Sequence, residues 1–328
     1  MLDITSIRGV RVGHAQDEEV MTGTTVVLLD KPSITACDAR GGWPGGYDTT
    51  SVEPGRTFFR KQAIFLTGGD VFGYDAAMGI RKYLMENKLA GARQGNMPEI
   101  VGANIYDLNF AKNVESINYG DLGYRACVAA SSGPVKQGNV GAGIGATVGK
   151  LRGAKFCWKG GLGSSAVLVL GNMMVGAMVV TNAVGNIFDP ATGKAIAGTR
   201  RSGRGPPFLE MDDVIPEYVQ ETKRGKKKVR ATTIGVIITN LSLTHEQTFK
   251  VAQMAHDGLA RAIRPVHMTT DGDIVFAVST GEVDLSHAPA DYMLVDVVGA
   301  TSAQQMSAAI LNAVRNATSL GGAPGLLK

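Results

Sequence analysis

Cysteine and histidine are scarce in this chain, and their scarcity removes several classes of protein. Three cysteines, Cys37, Cys127 and Cys157, are too few and too scattered for a disulfide framework or a zinc site. Five histidines, His14, His245, His256, His267 and His287, show no HExxH pattern and no paired spacing, so each reads as an ordinary surface or core residue. No metal or organic cofactor is expected. Long apolar runs are also missing. The most apolar stretch, Ala166 to Val180, is broken by Gly171 and Asn172 and falls short of the ~20 residues that span a bilayer. The first residues, MLDITSIRGVRVGH, contain no apolar core of a signal peptide, and a cytoplasmic protein is expected. Charge of one sign is lacking too. A formal net charge of +4 over 328 residues gives no general attraction to nucleic acid.

Glycine, by contrast, is plentiful, at 43 residues against the ~7% of an average chain. The glycines follow no period, so they read as turns and close backbone approaches. Short Val- and Ile-rich runs bounded by Gly, Asp or Asn predict strands. They are Thr24–Leu29, Ala63–Leu66, Ala166–Leu170, Ala177–Val180, Thr233–Ile238, Ile274–Val278 and Met293–Val298. Helices are expected from about Asp70, with Tyr74, Ala77, Met78 and Tyr83 on one face. Others are expected from Thr244 and from Ser302, each with a glutamine three residues on (Gln247, Gln305) as a capping box. Strands outnumber helices and do not alternate with them, which argues for an α+β class in one domain, 1–328. The one composition shift, 198–231, holds arginines, prolines, an acidic patch and the basic run KRGKKKVR. It reads as an exposed, mobile connection. No aromatic residue interleaves with its basic run, so it reads as solvated loop rather than a nucleic-acid patch.

The glycine motifs invite nucleotide readings that fail on inspection. GAGIGATVGK has Ile144 where a phosphate-binding loop needs glycine, and Ala146 where GxGxxG does. KGGLGSSA looks like the phosphate loop of small-metabolite kinases, but the VLVLG that follows reads as strand where that loop needs a helix. No GxSxG elbow or Ser-His-Asp set can be assembled. What remains is a strand opening with Thr232 and Thr233 directly after the basic segment. Taken alone, a threonine there is ordinary strand propensity.

The motifs in their order are far more specific. TGTTVVLLD, DARGGWPGGYDT, LTGGDVFGYDAAMGI, IVGANIYDLNF, GAGIGATVGK, KGGLGSSA, TNAVGNIFD, TTIGVIITN and HMTTDGDIVFAVSTGEVDL span nearly the whole chain. Together they resemble the N-terminal-nucleophile family of L-aminopeptidase/D-esterase, the β-peptidyl aminopeptidases and the endo-type nylon-oligomer hydrolase. The nylon branch looks nearer, since it too carries a TT dipeptide and a DGD turn. The resemblance implies an αββα sandwich and an inactive precursor cut between Ala231 and Thr232. It further implies tetramers of two-chain protomers, acting on peptide-like or ω-amino-acid oligomer amides. Thr232 stands at the nucleophile's place and Lys150 at a site lysine. Asn182 stands at the oxyanion asparagine, Asp271 and Asp273 at an aspartate pair, and Tyr106 at a tyrosine of the substrate cleft. Ala231 departs from the Asn or Gly usual before the cut. An aminopeptidase of the same family, or an unprocessed binding protein, are the alternatives.

Overall fold

The computed structural model describes residues 2–89, 97–110, 113–202, 208–224, 230–285 and 291–327. Among them a nine-stranded mixed sheet carries the fold. Its strands are β1 (Val10–Asp17), β2 (Thr22–Ala39), β3 (Gly46–Tyr47), β4 (Arg60–Thr67), β5 (Ile100–Asn104), β6 (Gly161–Leu170), β7 (Met173–Asn182), β8 (Thr232–Leu241) and β9 (Ile274–Val283). They are ordered β3-β5-β4-β2-β9-β8-β7-β6, with β1 also paired to β2. β2 is long enough to serve two sets of partners. Its first part pairs with β1 and β4, and its second with β9. The mixed helix-and-strand class expected from the sequence is observed.

Side-chain alternation along the strands separates the cores. Val27, Leu29, Ile64, Leu66, Met178, Val180, Ile234, Val236 and Phe276 share one apolar cluster. Val26, Leu28, Ala63 and Phe65 point the other way, onto α1 (Ala76–Glu86) and α2 (Tyr119–Val128). On β7, β8 and β9, Val175, Val179, Ile237, Val275 and Ala277 face α4 (His245–Ala262) and α5 (Asp291–Arg315). Apolar side chains on both faces explain why β8 is buried along nearly its whole length.

The helix at Thr244 starts where its capping box predicts: Gln247 N–H donates to Thr244 Oγ1, and Thr244 N–H to Gln247 Oε1. Three other expectations are corrected. Met293–Val298 is not a strand but the first turns of α5. Its β-branched residues suggest strand locally, yet Val295 and Val298 continue into Met306, Ala309 and Ile310 as one buried helical stripe. Burial overrides propensity here. Ser302 accordingly lies mid-helix, its hydroxyl bonded back to the Val298 carbonyl, and Gln305 accepts from Ser165 across to β6. The segment from Asp70 begins as a 3-10 turn, Asp70–Asp75, and becomes α-helical only at Ala76. Its buried face is Ala77, Ile80 and Leu84, with Met78 exposed.

The segment 198–231 carries structure of its own. α3 (Met211–Lys223) lies within it, and Val214 and Leu209 pack with Leu151, Val184 and Ala231. Residues 203–207 and 225–229, including most of the basic run, lie outside the described residues. The glycines of KGGLGSSA also gain a reason. A Cβ on Gly163 of β6 would collide with the Ala309 carbonyl of α5, so strand and helix meet backbone to backbone. The motif continues as a strand, as its sequence predicts. Among the described residues no helix is long and apolar enough to cross a membrane.

Candidate active site

The strands place Thr232, Asn182, Asp271 and Asp273 together at one end of β7, β8 and β9. β8 begins at Thr232, β7 ends at Asn182, and the two are direct partners across the antiparallel pair. β9 begins just after Asp271 and Asp273 and runs parallel to β8. A parallel bridge joins Ala231 to Asp271, and Thr233 N–H donates to Asp273 Oδ1 at 2.7 Å. The DARGGW segment at the end of β2 wraps this turn, with Trp43 N–H on the Asp271 carbonyl at 2.8 Å. GATVGK is tied to TNAVG by Gly149 N–H on the Gly185 carbonyl and Lys150 N–H on the Val184 carbonyl. These backbone bonds bring Lys150 to Asn182.

Lys150 is fully buried. Its Nζ donates to Asn182 Oδ1 at 2.6 Å and to the Asn182 carbonyl at 2.9 Å. Thr147 N–H also donates to Asn182 Oδ1. Both partners are donors only, so the oxygen of the Asn182 amide must face them. The amide nitrogen is thereby turned the other way and donates to the Tyr106 carbonyl at 2.9 Å. Burial lowers the Lys150 ammonium to about 8, against the opposing pull of Cys157, Asp271 and Asp107.

Thr232 lines a cavity of about 270 Å³ together with Trp43, Asp70, Tyr106, Arg230 and Ala231. Thr233 is not among its lining residues, as strand alternation requires. The Thr232 hydroxyl donates to the Ala231 carbonyl oxygen at 2.5 Å, and Gly272 N–H donates to the same oxygen at 3.0 Å. Position 272 has to lack a side chain. A Cβ there would lie 2.8 Å from Thr232 Oγ1 and 2.6 Å from the Trp43 carbonyl. Gly272→Ala is therefore expected to displace the hydroxyl and slow any reaction at Ala231 by at least tenfold, on the order of what a misplacement of reacting groups costs. Fragment formation against time after synthesis reads this out, and an unchanged rate would contradict it.

The carboxylates differ. Asp271 Oδ2 accepts Met268 N–H, while its buried Oδ1 has no hydrogen-bond partner. Burial, then the charge of Asp273, raises Asp271 to about 7. The fold thus favours the protonated carboxyl. That stabilisation is complete below the unfolded value of about 4 and is lost as pH rises through about 7. Wild-type melting temperature is expected to fall relative to Asp271→Asn between those limits. Parallel melting curves across that range would contradict this.

Sequence reasoning missed His267. Its Nδ1 lies 2.7 Å from Asp273 Oδ2, and its backbone N–H donates to the same oxygen at 3.1 Å. Asp273 is thereby held from two sides while its other oxygen serves Thr233. The histidine's position six residues before Asp273 was the only sequence sign. Asp70, Trp43 and Arg230 also line the cavity without having been singled out for it.

A strand-opening threonine over a cavity, backed by a buried lysine, asparagine and aspartate pair, sits on a fold shared with solved hydrolases. The L-aminopeptidase D-Ala-esterase/amidase of Ochrobactrum anthropi, described as a variant among the Ntn hydrolase fold, superposes with a TM-score of 0.71 at 21% identity, covering 98% of this chain and 88% of that one. A Burkholderia β-aminopeptidase gives 0.67 at 23%, covering 99% and 90%. The Peptidase family S58 model matches residues 3–327, and the chain belongs to that family. A protein named an uncharacterized aminopeptidase in Mycobacterium tuberculosis is 35% identical over 99% of this chain and 96% of its own length. A 6-aminohexanoate-oligomer endohydrolase of Kocuria is 31% identical over 94% and 84%.

Proposed function

We propose that this chain is a self-processing amide hydrolase that breaks the Ala231–Thr232 bond and then uses Thr232, newly N-terminal, as its nucleophile. The observation that carries this reading is the Thr232 hydroxyl lying against the carbonyl it would attack, with the Gly272 N–H already on that carbonyl's oxygen.

In the first step Thr232 Oγ bonds to the Ala231 carbonyl carbon and the Ala231–Thr232 C–N bond breaks. The hydroxyl proton ends on the freed nitrogen, leaving an ester. Water then hydrolyses the ester, giving an Ala231 carboxylate and a free threonine. A threonine hydroxyl is a weak nucleophile without an adjacent base. The new α-amine, with a reference pKa of about 7.7–8.0, supplies that base within the same residue. In turnover it accepts the hydroxyl proton as Thr232 Oγ attacks a substrate amide. It passes the proton to the leaving amine and then activates water against the acyl-enzyme.

Asn182 supports this scheme through its orientation. One amide N–H is used by Tyr106, and the second serves the oxyanion beside its strand partner Thr232. Lys150 fixes that orientation and adds positive charge. The partnerless Asp271 Oδ1 receives the new ammonium, and Asp273, held by His267, keeps the strand opening in place. The apolar clusters on both sides of the strands support a four-layer αββα sandwich. Membership in the peptidase family, with relatives named for peptide and oligo-amide hydrolysis, supports peptide-like or ω-amino-acid oligomer amides as substrates. Assembly as a homotetramer remains part of this reading, on family resemblance alone.

Intact-mass analysis of purified protein tests the proposal. The expected result is two chains, the smaller comprising residues 232–328 and beginning Thr-Thr-Ile-Gly-Val. A single 328-residue species that hydrolyses amides would overturn it.

A further inference from the structure

The cavity beside Thr232 already holds a cation. Arg230 places its guanidinium carbon 4.6 Å from the Trp43 ring centroid and 5.1 Å from that of Tyr106. Its Nη1 lies 3.5 Å from Asp70 Oδ2. Two aromatic faces and a carboxylate around one charge make a cation-binding arrangement. Arg230 immediately precedes Ala231, the residue that the scheme above turns into an acyl group. Arg230–Ala231 therefore lies in the cavity as the acyl half of an internal substrate.

We propose that Trp43, Tyr106 and Asp70 form a cation subsite on the acyl side of the scissile bond, filled by Arg230 in the uncut chain and by a basic group of the substrate after processing. The second half of this inference rests on the self-processing reading. One feature shows that the subsite is incomplete without a cation. Asp70 is half-buried, and burial raises its carboxyl against the opposing charge of Arg230, so loss of Arg230 leaves it without its counter-charge. Asp70 is held toward the cavity by a left-handed backbone, φ 53°, directly after Gly69 at φ 81°, a conformation an aspartate adopts at some cost.

The chemical class follows from the internal sequence. The favoured substrates are peptide-like amides with a basic group on the residue preceding the acyl residue. An oligomer of ω-amino acids carries its only cation at its amino end, so the subsite biases cutting toward that end.

The test separates the subsite from the processing. n-Butylguanidinium is titrated calorimetrically into Thr232→Ala and into Thr232→Ala/Arg230→Ala, both of which stay uncut. Saturable binding is expected only where Arg230 is gone, and is expected to weaken about tenfold on adding Asp70→Asn. No binding to the double variant, or binding indifferent to Asp70→Asn, overturns the subsite. With processed wild-type enzyme, Lys-Ala-p-nitroanilide is expected to exceed norleucine-Ala-p-nitroanilide about tenfold in kcat/KM at low salt, with the ratio falling as salt rises. Equal values for the two overturn the substrate assignment. A wild-type chain that neither splits nor hydrolyses either anilide, alongside a double variant that still binds the probe, supports the subsite and overturns the self-processing reading.

Discussion

Thr232→Ala is expected to yield one uncut polypeptide with amide hydrolysis reduced on the order of a million-fold, the loss seen when a covalent nucleophile is removed outright. The size follows from one side chain serving two reactions. Without Oγ there is nothing to attack the Ala231 carbonyl, so the α-amine that would act as base is never released. The loss is therefore double, of nucleophile and of base. Folding should survive, because the change removes a hydroxyl and a methyl from a position at the edge of the cavity and leaves the β7–β8 backbone ladder intact. Thr233→Ala is the matched control. Its hydroxyl is buried without a hydrogen-bond partner and away from the cavity, so that variant should still split. Gel electrophoresis with N-terminal sequencing distinguishes the cases, and a Thr232→Ala protein that divides at the same bond would sink the assignment.

The second large effect concerns Lys150. Lys150→Met is expected to slow both self-cleavage and turnover on the order of a hundredfold, the cost of losing one oxyanion-stabilising group. In the proposed scheme the lysine acts through Asn182, to which its Nζ is bonded. With its Nζ gone, the asparagine amide is oriented on its oxygen side by Thr147 N–H alone, and the N–H proposed to serve the oxyanion loses its fixed direction. Stability should move little. The ammonium is fully buried and its charged form is disfavoured by burial, so a methionine of similar length removes a costly charge while leaving two acceptors with fewer donors. Loss of rate without a comparable fall in melting temperature is the signature. Asn182→Ala is the poorer probe, since it strands a buried ammonium and conflates unfolding with catalysis. Processing and turnover within about twofold of wild type in Lys150→Met would remove the lysine from the scheme.

Much of the sheet was legible in advance because strand signals are local. β-Branched runs bounded by Gly and Asp marked the cores of β2, β4, β6, β7, β8 and β9. The capping box at Thr244 marked α4 for the same reason, since its two hydrogen bonds span only three residues. Met293–Val298 failed because its neighbours, not its own propensity, decide its state: α5 has to bury Val295 and Val298 in line with Met306 and Ile310. α3 was missed since its only buried helical residue is Val214, too little to make a periodic pattern. The residues matched by family motif, Thr232, Lys150, Asn182, Asp271, Asp273 and Tyr106, do converge, but no spacing in the chain required it.

The sequence alone determined the class of fold, the family and the position of a threonine at the head of a strand, because each is encoded in short patterns or in motif order. Only the tertiary structure decided that Thr232 rather than Thr233 lines the cavity, that Gly272 must lack a side chain, that His267 holds Asp273, and that Arg230 fills a nest of aromatic rings and carboxylate. Those contacts join residues that are distant in sequence or depend on which face of a strand is turned inward. Strand register and backbone approach set them, and neither is written in any local run of residues.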